Sequence, residues 1–367
     1  MGVDGTGIGG NASFGIIPAT TWHTAQALSG NAAVKVKEVA PVGAQRKILT
    51  DEAIGQFFAE HSRLGKEIID LTFSGDLRYE GAFWHHIVQL IGTDVGSVAT
   101  GVYTHTVTMS DIVSGRFYTA VQQILSTRAQ LYEYPSVKPM GFKITTDKGS
   151  GLMQFECTGI ADTCKIGGDA TNDSDNMPGG SPGIDYSSNV LRVPFCDARV
   201  NINAKSGAAF DSGGDGSDRV FPNAISIEMS RPYVRDFQAD RTTTNSQCWQ
   251  TAEPRHDGLQ SDIIVTLEFD EQDSRTWFEN FQDATEQKCE ILFRQDADNL
   301  IKFEFPKLFY LQPDYSIPGP GRIPSVFPFL AQKAQTDPAG MLNITQPFKL
   351  TVINGDSNEY HDNSAIT

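Results

Sequence analysis

The sequence predicts a mainly β protein, an antiparallel β-sandwich or barrel with a few flanking α-helices. Three observations carry this. Apolar and polar residues alternate with a period of two in many short segments. Helical periodicity is confined to a few stretches. Runs rich in Gly, Pro, Asp and Ser separate the apolar segments. A period of two buries one face of a strand and leaves the other polar, and strands punctuated by turns favour packed antiparallel sheets.

In chain order, the first clear strand is Ile69-Asp70-Leu71-Thr72-Phe73. A helix follows over 79–91, with Phe83, Ile87 and Ile91 recurring every four residues beside Trp84 and Val88, and Gly92 as a stop. A weaker helical pattern covers 52–61. Further alternating strands are Met153-Gln154-Phe155-Glu156-Cys157, Ile225-Ser226-Ile227-Glu228-Met229, Val265-Thr266-Leu267-Glu268-Phe269, Ile301-Lys302-Phe303-Glu304-Phe305 and Phe348-Lys349-Leu350-Thr351-Val352. A second helix is expected over 274–284, with Ser274 as cap and Trp277, Phe278 and Phe281 on its apolar face. The segment 167–188 offers almost nothing to bury and reads as a linker or long surface loop, as do 206–218 and the Pro-rich 313–328. The expected organisation is an N-terminal arm (1–40), a first β domain (41–166), the linker (167–188), a second β domain (189–355) and a C-terminal tail (356–367). On each side of the linker a strand, an acidic turn, an aromatic helix and another strand (104–109 and 289–294) follow one another, which hints at internal duplication.

Composition narrows the function. The 367 residues include 45 acidic and 29 basic side chains, a formal charge of −16, and 22 Phe, 10 Tyr and 4 Trp, enough to bury substantial cores. No apolar run approaches the ~20 residues that span a bilayer, and the Gly-rich start lacks the features of a signal peptide. There is no Lys/Arg block to grip a duplex. The five cysteines, at 157, 164, 196, 248 and 289, are odd in number and widely spaced, so neither a disulfide framework nor a zinc site is expected.

Several motif matches lack their context. Gly5-Thr6-Gly7-Ile8-Gly9-Gly10 fits a dinucleotide fingerprint without the strand before it or the helix after it. Gly179-Gly180-Ser181-Pro182-Gly183 fits a nucleophile elbow, but Pro182 removes an N–H where an oxyanion hole needs one. His85 and His86 are adjacent on a helix and diverge by about 100°, and His105 lies farther on. The acidic runs at Asp169, Asp173 and Asp175 and at Asp211, Asp215 and Asp218 lack the spacing of a calcium loop. No catalytic constellation, metal site or cofactor is expected.

One pattern is more specific. Leu71-Thr72-Phe73-Ser74-Gly75-Asp76-Leu77-Arg78-Tyr79-Glu80-Gly81 leads into the Phe83 helix and Gly92-Thr93. Then come Thr104-His105-Thr106, Gly115-Arg116-Phe117-Tyr118-Thr119, Tyr134-Pro135-Ser136-Val137-Lys138 and Gly141-Phe142-Lys143-Ile144. Over residues 68–160 this order resembles the tail tube (major tail) proteins of long-tailed bacteriophages, particularly the larger members with a second half. The resemblance implies a non-enzymatic virion protein, made in the host cytoplasm, whose rings stack into a hollow tube. The rings would be hexamers of single domains or trimers of a duplicated chain, with the strands of neighbouring copies joined in one inner barrel. Its implied partners are further copies of itself and the tape measure, tail terminator and tail tip proteins, with DNA passing through the bore unbound and no membrane involved. The segments 1–40, 97–114 and 354–367 are candidates for joining successive rings.

A conduit should not hold DNA, because each phosphate neutralised by Lys or Arg adds affinity. Acids on polar strand faces provide a repulsive wall of about 1 kcal/mol per close charge pair in water, screened over roughly a Debye length. The candidate lumen-facing residues are Asp70, Glu156, Glu228, Glu268 and Glu304. An alternative reading is a carbohydrate- or receptor-binding β-sandwich of a tail tip or adhesin, using aromatics such as Trp249, Tyr315 or Tyr360. A third is a hydrolase using two of the many carboxylates.

Overall fold

A computed structural model of the chain describes residues 12–50, 62–99, 101–111, 114–124, 130–166, 170–178, 180, 183–187, 191–210, 218–235, 252–258, 261–270, 274–313 and 324–355. It is mainly β, with two α-helices among the described residues. A first unit contains β1 (Ala12–Ala19), β2 (Glu38–Thr50), β3 (Ser62–Asp76), α1 (Phe83–Ile91), β4 (Gly92–Ala99), β5 (Val102–Met109), β6 (Phe117–Ile124), β7 (Gln130–Asp147), β8 (Leu152–Ala161) and β9 (Lys165–Ile166). A second contains β10 (Ala198–Ala204), β11 (Arg219–Val220), β12 (Ala224–Ser230), β13 (Tyr233–Val234), β14 (Arg255–His256), β15 (Asp262–Asp270), α2 (Ser274–Gln282), β16 (Gln287–Arg294), β17 (Leu300–Tyr310), β18 (Pro324–Ala331) and β19 (Lys349–Asn354). All strand pairings are antiparallel, and all strands but β13 and β14 belong to one connected hydrogen-bonded network, an open sheet folded into two layers rather than a closed barrel.

The units repeat one topology. β1 pairs with β6 as β10 pairs with β16. β6 and β7 form a hairpin, as do β16 and β17, each with a register shift at the matching place, between Tyr118 and Ala120 and between Gln287 and Cys289. Both long strands then change partners, β7 at Val137 to β8 and β17 at Leu308 to β18. β8 and β18 pair with β3 and β15, which pair with β2 and β12. β9 and β19 return to the first part of β7 and β17, placing Lys165 across from Glu133 and Lys349 across from Glu304. The counterpart of β16 is therefore β6, not the 104–109 segment that the sequence pattern suggests. That segment is β5, part of a hairpin with β4 that unit 2 does not have.

Local chemistry explains the elements. Ile69, Leu71 and Phe73 of β3 point into the core while Asp70, Thr72 and Ser74 point away, and β12 and β15 do the same. The apolar stripe of α1 packs against β1, β6 and β7, and its Phe83 ring stacks on Phe155 at 4.4 Å. Burying such a side chain stabilises the fold by roughly 1.5–3 kcal/mol. Its polar residues His85, His86 and Gln89 are buried as well, because both layers enclose the helix. α1 passes straight into β4 at Gly92, where an added Cβ would lie 2.0 Å from the Thr108 carbonyl oxygen. That stop reflects close approach, not a left-handed turn.

Two boundaries differ from expectation. Residues 12–40 are not an arm: β1 is a full sheet strand, Phe14 and Ile16 are core residues, and Val34 N–H donates to the Phe14 carbonyl. Nor is 167–188 a simple linker. Met177 and Ile184 pack with Leu28 and Val121, and the buried Glu133 carboxylate accepts bonds from the N–H groups of Thr171 and Asn172 and from Asn172 Nδ2. The expected helix at 52–61, most of the Pro-rich loop and the tail from 356 lie outside the described residues.

Candidate functional site: a polar sheet face and a seam

The inner layer runs β2-β3-β8-β7-β12-β15-β18 and ends on the last residues of β17. It crosses from unit 1 to unit 2 at the β7–β12 joint, where Gly141–Thr145 pairs with Ser226–Ser230. A side chain at Gly141 would crowd the joint, since an added Cβ would lie 3.0 Å from the Met229 carbonyl oxygen. Residues directly across a ladder share a face, so the row Ser74, Glu156, Lys143, Glu228 and Ile264 lies on one side. Ile144, Ile227, Met229, Val265 and Leu267 fill the other side.

Four of the five acids expected from the sequence, Asp70, Glu156, Glu228 and Glu268, lie on this polar face. Glu156 and Glu228 are exposed. Glu228 is 3.7 Å from Lys143, Glu268 is 2.5 Å from Lys148, and Asp70 is paired with Arg235. Glu304 does not join them. It precedes the partner change of β17 at Leu308, so it belongs to the outer layer, buried between Lys302 (3.2 Å) and Lys349 (3.1 Å). Strand alternation also places Glu38, Asp76, Asp147 and Asp262 on the polar face. Hydrogen bonds from Ser150 and the Gly149 N–H hold the Asp147 carboxyl below its ordinary range.

One end of this face is covered at the seam. The connection from β12 to β15 carries Tyr233, whose ring lies 5.3 Å from Lys138 Nζ, and Glu253, which pairs with Lys138 and accepts the Gly115 N–H. Burial pushes the Lys138 ammonium down to about 8, partly offset by Glu253. Arg231, at the end of β12, reaches into unit 1 and donates to the carbonyls of Ile91 and Ser110 at 2.9 Å, completing the C-terminus of α1. Arg116 caps the neighbouring Gly92 carbonyl. Its guanidinium is pushed down to about 10 by burial and by the nearby Arg231. His86 Nε2–H donates to the Gly141 carbonyl at 3.0 Å and its Nδ1 accepts from Tyr118 Oη at 2.8 Å; complete burial pushes the imidazole down to about 4.

In the outer layer the β4–β5 hairpin crosses to unit 2, pairing Tyr103–Thr108 with Lys349–Asn354. The buried His105 is held by Asp94 at 2.9 Å within that hairpin. A cavity of about 650 Å³ adjoins the seam, lined by Asp111, Arg231, His256, Asp262 and Lys333 among others. Among the described residues no group of three or more His, Cys, Asp or Glu is placed to hold a metal ion, and no helix is long and apolar enough to cross a membrane. Asp173 serves as a local cap, accepting the Asp175 N–H. Both glycine motifs lie wholly or largely outside the described residues, as do Trp249, Tyr315 and Tyr360. The seam residues Arg231 and Glu253 escaped sequence reasoning because their partners are distant in the chain.

No protein-family model matches the chain, and no curated protein matches it.

Proposed function

We propose that this chain is a tail tube subunit of a long-tailed bacteriophage. Three copies close into a ring of six repeated units, the rings stack into a tube, and the polar face of the inner layer lines a bore for DNA. The observation that carries this reading is the β7–β12 joint: two repeated units meet edge to edge in one continuous inner sheet. At the ends of that sheet, β2 and the end of β17 occupy the places of β12 and β7. Joining β17 of one copy to β2 of the next would repeat the internal joint. Unpaired edges promote aggregation, and closure removes them. The acids on the polar face give DNA little to hold, although Lys143 and Lys148 are exposed beside them. In this reading the chain is a structural virion protein without catalytic activity, and its neighbours are other copies and the tape measure, terminator and tip proteins of the tail.

Electron microscopy and native mass measurement of concentrated protein test the reading. Rings or tubes are expected, with a ring mass three times the 40.1 kDa of the chain. Monodisperse monomer under every condition, with no such rings in virions, would overturn it.

A further inference from the structure

The repeated units do not treat the seam alike. Unit 1 inserts the β4–β5 hairpin between α1 and β6, and this hairpin pairs with β19 of unit 2. In unit 2, residues 283–286 alone separate α2 from β16, so it has no such hairpin to offer a neighbour. Unit 2 contributes a different element, the described part of the β12–β15 connection. It sends Arg231 beneath the end of α1, lays Tyr233 on Lys138 and brings Glu253 to Lys138 and Gly115. In unit 1 the matching strands β2 and β3 pair with each other out to Thr50 and Ser62, where the described residues of this region end. The seam inside the chain is thus held by the β7–β12 joint, by residues 191–195 bonding to Leu77, Gly151 and Met153, and by two elements whose counterparts, among the described residues, are missing or paired otherwise. A seam between copies built by the same repeat receives the inner strand pairing without the hairpin.

We infer that the assembled ring has two unequal classes of seam: stapled seams within each chain and bare seams between chains. The ring opens and closes at the copy boundaries, and the smallest particle that persists is the joined pair of units. The bare class rests on the ring reading above; the stapled class stands on the single chain. The physical basis is burial. Lys138 and Arg231 are almost fully withdrawn from water and each bonds across the seam, Lys138 to Glu253 and Arg231 to the Ile91 and Ser110 carbonyls, so parting the units breaks these bonds. Removing one partner of a buried pair is far more damaging than losing an exposed one.

A specific protease site inserted after Ser187, an exposed position between the units, allows the folded chain to be cut. Native mass spectrometry and size exclusion along a urea series then follow two events, loss of rings to single copies and separation of the cut halves. The halves are expected to stay together one to one at urea concentrations where rings have already fallen to single copies. Separation of the halves before, or together with, ring loss would overturn the inference. In cut E253Q protein the urea midpoint for half separation should fall while that for ring loss stays put; an equal shift of both would also overturn it. If no rings form at any concentration, the ring reading and its bare seams fall. The stapled seam is still judged on the cut monomer, and halves that drift apart in buffer would sink it.

Discussion

Glu133 and Glu304 occupy the same place in two copies of one topology, four residues before the long strand changes layers at Val137 or Leu308, yet their neighbours differ. Glu133 receives backbone and side-chain N–H groups from Thr171 and Asn172, and so fixes the segment that follows β9. Glu304 sits between two lysines of its own sheet. The strand pairing and its register shifts are the same in both units while the chemistry around them differs. What the repeat preserves is backbone geometry, the property that sheet joints depend on.

Glu133→Gln turns an amide N–H₂ toward donors and should cost about 3 kcal/mol, read from urea unfolding, with proteolysis appearing within 170–178. Glu304→Gln should cost only about 1 kcal/mol, because Lys302 and Lys349 retain access to water. Equal losses would mean that the two sites are energetically the same.

The next effect is a pH dependence rooted in unit 1, since α2 carries no histidine. His86 is neutral when folded, with its pKa pushed down to about 4 from 6.5, so the unfolded chain binds the extra proton between those values. Stability contributed by neutral His86 is present above pH 6.5 and is lost as pH falls toward 4, by up to about 3 kcal/mol. Unfolding of the wild type and of His86→Gln across this window should show a shallower slope for the variant; parallel curves would refute it. The smallest effect belongs to the polar face. Glu228→Gln should change stability by less than about 1 kcal/mol, because both Glu228 and Lys143 are half-exposed. A loss of several kcal/mol in thermal melts would show that this face is buried in the folded copy.

Alternation made β3, β8, β12 and β15 readable from the sequence, along with the side on which Asp70, Glu156, Glu228 and Glu268 lie. It misplaced Glu304 because a period of two distinguishes the faces of a strand but not the layer to which the strand belongs. β17 begins in one layer and ends in the other. β5 looks like β16 in the sequence for a related reason: both alternate, and only their distant partners tell them apart. The segments 12–40 and 170–187 are rich in small and polar residues, and what holds them is non-local. Phe14 packs on Phe73, and Glu133 reaches residues far along the chain. The β7–β12 joint was not legible at all, because its two strands lie far apart in the chain and nothing local in either marks the other as partner.

Because β7 and β17 each run through both layers, the two layers of the molecule are stitched by covalent backbone as well as by side-chain contact. Pressure applied from the polar side would pass along those strands into the outer layer. Separating the two layers would mean tearing hydrogen-bonded ladders, a far stiffer response than sliding two greasy surfaces apart.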